Sequence, residues 1–75
     1  MENNLKKLRL SHHLTQQRLS EKVLIEQGLL SKYERGIRKI TIDNLVILAD
    51  FYGVSTDVVL GREDVPEQTA ERGGI

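Results

Sequence analysis

The 75-residue chain contains no cysteine. A disulfide scaffold and any zinc site built on thiolates are therefore excluded. Aromatic residues make up only 4% of the chain, so a core has to be assembled chiefly from Leu, Ile and Val, which favours helices packed on helices. No apolar run approaches the length of a signal or membrane segment, and the expectation is a soluble cytoplasmic protein without a membrane partner. The sequence also lacks a Ser/His/Asp or Cys/His set, a metal-ligand cluster and a phosphate-binding glycine loop. With little room for a substrate cavity, neither an enzyme nor a cofactor, metal or small-molecule ligand is expected. His12 and His13 do not change this, because adjacent helical residues point about 100° apart and cannot chelate one ion. Near a helix C-terminus they are expected to meet exposed carbonyls.

Net charge is absent as well, with 11 basic and 11 acidic residues. Their distribution is uneven. Residues 1–39 carry nine Lys/Arg against four acids, a net of +5, and residues 40–75 carry two against seven, a net of −5. One half can face a polyanion while the other faces away.

The stretch Leu14 to Gly36 organises the rest. Leu14, Leu19, Val23, Leu30 and Tyr33 recur at a helical period with polar residues between them. Thr15 can cap a helix over Gln16 to Val23, and Gly36 suits the left-handed position after a second helix over Gln27 to Arg35. Only about three residues remain for the turn, which fits a helix-turn-helix. Before it, a helix from Asn3 or Asn4 to His12 would turn Leu5 and Leu8 inward and Lys6 and Lys7 outward. After the loop Ile37 to Ile40, Thr41 caps a helix over Ile42 to Tyr52 that ends at Gly53. Ser55 then caps a short helix over Thr56 to Leu60, closed by Gly61. Leu45, Leu48, Ala49 and Tyr52 form the inward stripe of the fourth helix, with Val59 and Leu60 completing the core. Ile47 and Phe51 fall on a second apolar face, and Val58 is expected to join them outside the core. The expectation is an all-α, five-helix domain over residues 1–61, followed by a flexible polar tail over 62–75.

The run L-T-Q-x-x-L-S-x-K-V, followed by L-S-K-Y-E-R-G, resembles the Cro/phage-repressor (XRE-type) helix-turn-helix family over roughly residues 4 to 61. The resemblance implies a lambda-repressor-like fold and a sequence-specific, double-stranded DNA-binding transcriptional regulator. Such a protein would act as a repressor, bound as a homodimer to a palindromic operator through the major groove. It assigns base contacts to Gln27, Gly28, Ser31 and Lys32, the chemical types that read adenine, guanine and mixed edges. Backbone contacts fall to Gln16, Arg18, Arg35, Arg38 and Lys39. Arg9 and Glu34 are implied as a structural ion pair, and Ile47, Phe51 and Val58 as the dimer face. Three positions depart from the family pattern: Leu24 replaces the usual turn Gly, Glu26 the Ser or Thr N-cap, and Ile40 a common Pro. The competing reading is an antitoxin or adaptor that uses the same fold to bind protein through its apolar C-terminal face.

Overall fold

Local capping chemistry divides the chain into its elements. The computed structural model describes residues 3–66 and contains five helices: α1 (Leu5–Ser11), α2 (Gln16–Val23), α3 (Gln27–Glu34), α4 (Ile42–Tyr52) and α5 (Thr56–Leu60). The hydroxyls of Thr15, Thr41 and Ser55 accept from the backbone N–H groups of Arg18, Asn44 and Val58, so α2, α4 and α5 start where a side chain can satisfy an orphan donor. Gly53 stops α4 in the left-handed region at φ 69°, a conformation that costs glycine nothing.

Leu24 takes the same conformation without glycine's freedom. It ends α2 at φ 58° and ψ 39°, so α2 is not lengthened and the turn is sharp. Ser20 donates its hydroxyl to the Ile25 carbonyl across this turn, and Ile25 is buried. The bend therefore has a core anchor that hydrophobic periodicity alone does not mark.

Leu8, Leu19, Leu30, Tyr33, Leu48 and Val59 are the largest fully buried side chains and draw on every helix. Tyr33 is held at both ends: Asn44 donates to its hydroxyl at 2.9 Å and Asn3 donates to its carbonyl at 2.9 Å. Tyr52 differs, because its hydroxyl is buried and makes no hydrogen bond among the described residues.

Val58 is only 4% exposed and belongs to the core, which corrects its expected place on the outer face. The helix α5 spans a single turn between α1 and α4, and partners on both sides cover adjacent positions. Asn4 fixes this placement, donating through Nδ2 to the Val58 carbonyl and through its backbone N–H to that of Val59.

The segment expected to be a tail begins as part of the domain. Asn4 donates to the Glu63 carbonyl, Ser55 donates to the Glu63 carboxylate, and Val65 packs on the core. The rest of the expected tail, 67–75, lies outside the described residues.

Candidate nucleic-acid interface

The helix α3 is built to be buried on one side and free on the other. Leu30 and Tyr33 are buried beneath it. At 100° per residue, Gln27, Gly28, Ser31 and Lys32 share the opposite arc. Gln27, Gly28 and Lys32 are exposed and Ser31 is half-buried. None of the Gln27, Ser31 and Lys32 side chains has a hydrogen-bond or ion-pair partner among the described residues. A surface of donors and acceptors left uncommitted in this way is available to base edges.

The angle between α3 and α1 is held by a nearly buried ion pair. Arg9 Nε donates to Glu34 Oε2 at 2.7 Å and Arg9 Nη2 donates to Oε1 at 3.1 Å, a two-pronged arrangement. The remaining Arg9 arm, Nη1, donates to the Leu14 carbonyl at 2.9 Å, tying in the segment that leads into α2. Hydrogen bonding to Glu34 raises the Arg9 pKa above its already high ordinary value, with desolvation opposing. Arg9 therefore stays charged.

Gln16 joins this cluster, donating from Nε2 to Glu34 Oε1 at 3.1 Å. One N–H of its amide is thus engaged inside the domain, and at the start of α2 the second N–H and the carbonyl oxygen remain uncommitted. Arg18, Arg35, Arg38 and Lys39 are all exposed, the last three in the segment that follows α3. A groove missing from the sequence reading runs between α1 and the end of α3. It is lined by Asn3, Lys6, Lys7, Leu10, Glu34, Arg35 and Gly36. The signal for it was present in the chain, since positions 3, 6, 7 and 10 make one helical face.

On α4, Ile47 and Phe51 are 41% and 37% exposed, and Ile42 and Val46 extend the apolar surface. With Val58 in the core, this face belongs to α4 alone. At the end of α1, His12 Nδ1 lies 3.0 Å from the Leu8 carbonyl and its ring packs against Tyr52 at 4.9 Å. Among the described residues, no group of three or more His, Cys, Asp or Glu is placed to hold a metal. No helix among them is long and apolar enough to cross a membrane.

Two short helices joined by a left-handed turn, with the second helix clamped to α1 and polar on its free side, define a helix-turn-helix domain. The chain belongs to the XRE-type helix-turn-helix family, whose pattern matches residues 5–59. It is 43% identical over 68 residues to the uncharacterized HTH-type transcriptional regulator YobD of Bacillus subtilis, covering 91% of this chain and 61% of that protein. It is 39% identical over 64 residues to the HTH-type transcriptional regulator ImmR of the same organism, covering 85% of this chain and 50% of that one. The chain thus spans one half to three fifths of the length of these curated relatives. No solved structure matches it.

Proposed function

We propose that this domain is a sequence-specific binder of double-stranded DNA that regulates transcription, with α3 entering the major groove. The observation that carries this reading is the uncommitted polar arc of α3, bordered in sequence by exposed cations. Gln27, Gly28, Ser31 and Lys32 face the bases, while Arg18, Arg35, Arg38, Lys39 and the second amide N–H of Gln16 hold phosphates. The concentration of positive charge in residues 1–39, a net of +5, suits a polyanionic partner. Membership of the helix-turn-helix family and the names of the two relatives support the same conclusion.

The domain acts as a homodimer joined through the Ile47 and Phe51 face of α4. A two-fold pair presents two α3 helices roughly 34 Å apart and requires a palindromic operator. Repression by covering a promoter needs no surface beyond these two, no cofactor and no catalytic step, and it takes place in the cytoplasm. Residues 1–61 supply the reading unit.

Selection of bound duplexes from a random pool tests the proposal. The expected result is an enriched site with two-fold symmetry and half-site centres one helical turn apart. In the same assay, random duplex should bind weakly and lose affinity steeply with salt. Absence of any binding at low ionic strength would leave the α4 face as the principal site, as in an adaptor.

A further inference from the structure

Three positions within five residues of the α2–α3 junction carry a residue type that the local structure does not favour. Leu24 is left-handed and 88% exposed. Glu26 occupies the N-cap of α3 without making a side-chain cap hydrogen bond. Gly28 sits in the first turn of α3, where a Cβ would meet nothing within 4 Å. Departures of this kind gather where residues serve binding rather than folding.

Of the three, Glu26 carries chemistry. Its backbone starts the helix, the carbonyl accepting from Leu29 and Leu30. Its carboxylate is exposed and has no hydrogen-bond or ion-pair partner among the described residues, although it immediately precedes Gln27. In a major groove this carboxylate is repelled by the phosphates, and only a donor on a base edge offsets that repulsion. Cytosine presents its N4 amino group there with no acceptor beside it, whereas guanine and thymine present acceptors and adenine sets its N6 amino group next to the N7 acceptor, which repels the second carboxylate oxygen.

We propose that Glu26 is a specificity-determining residue that selects a C·G pair beside the base pair read by Gln27, an inference that rests on the DNA reading above. The carboxylate accepts a hydrogen bond from cytosine N4 and rejects guanine and thymine through their acceptor oxygens. The competing account is that a carboxylate at a helix N-terminus only stabilises the helix dipole. That account predicts altered folding stability with no change in base preference.

The test uses the full chain and its Glu26→Gln and Glu26→Ser variants in selection from a random duplex pool, with melting curves in parallel. The wild type should enrich C at one symmetric position of the half-site, and both variants should lose that enrichment. Replacing that base by N4-methylcytosine should weaken the wild type roughly tenfold or more and leave Glu26→Ser unchanged. Glu26→Ser should also melt higher, because serine caps α3. Identical preferences in all three proteins would overturn this inference while leaving the DNA reading intact. Failure of the wild type to enrich any duplex would overturn both.

Discussion

Arg9 holds both carboxylate oxygens of Glu34 across 25 positions of sequence, with the two side chains 10% and 6% exposed. The pair joins α1 to the C-terminal end of α3, and through Leu14 and Gln16 it reaches the start of α2. The orientation of α3 therefore depends on one charged cluster rather than on apolar packing alone.

Removing either partner leaves the other charge buried and unpaired. Arg9→Ala or Glu34→Ala should each destabilise the domain by about 3–5 kcal/mol in urea or thermal unfolding. Replacing both by apolar residues of similar volume should cost much less than the sum of the single changes. Single-variant losses of no more than about 1 kcal/mol would give the pair the energetics of a surface contact.

Burial pushes the Tyr52 hydroxyl up to about 12, with the Glu34 charge adding to the shift and Arg9 opposing it. In the unfolded chain the phenol titrates near 10. The folded state thus keeps a proton that the unfolded state releases. Stability is complete below about pH 10 and falls as pH rises to about 12, by on the order of 2–3 kcal/mol. Tyr52→Phe should abolish this alkaline loss. At neutral pH it should be stabilising or neutral, since it removes a hydroxyl with no partner.

Leu24 and Gly28 are opposite cases of the same backbone rule. Leu24→Gly relieves a left-handed leucine that buries little, and Gly28→Ala restores helix propensity where a methyl group has room. Each should stabilise the domain by about 1 kcal/mol. The expected rise in melting temperature is roughly 4–8 °C per change. If Gly28→Ala gains this stability but binds the selected duplex more weakly, the glycine serves close approach to DNA.

The α4 face and Val58 separate by experiment. Ile47→Lys and Phe51→Lys should convert the proposed dimer to monomer in sedimentation. Both should leave the monomer folded, with Phe51→Lys the costlier of the two because its ring packs edge-on against Tyr52 at 5.1 Å. Val58→Ala should instead cost on the order of 2 kcal/mol, because it hollows the core of one protomer.

The limits of α2, α4 and α5 were legible because they are written in local chemistry, while α1 and α3 were legible from the period of their apolar residues. Thr15, Thr41 and Ser55 cap within three residues of themselves, and Gly53 closes α4 beside its own last turn. Side-chain commitments over longer distances were not legible. The face that Val58 presents is set by Asn4, 54 positions away, and one helical turn has no periodicity from which to read a buried side. The bond from Gln16 to Glu34 spans 18 positions, so the start of α2 gave no sign that half of its amide was already engaged. Ile25 looked like a turn residue, and its burial follows from the Ser20 hydroxyl holding its carbonyl. At α3 the types and spacing of the polar residues could be read directly, because Leu30 and Tyr33 beneath them fix which arc faces outward.

In the proposed complex, α3 reads bases while the loop after it grips the backbone. The direct measurement is equilibrium fluorescence anisotropy of wild type, Lys32→Ala and Arg38→Ala on the selected duplex, single-base variants of it and random duplex, over a range of salt. Lys32→Ala should lose about 1–3 kcal/mol on the selected site, lose discrimination at one base pair and bind random DNA almost unchanged. Arg38→Ala should weaken every duplex alike and reduce the salt slope by about one. Equal losses on selected and random DNA for both variants would contradict the account.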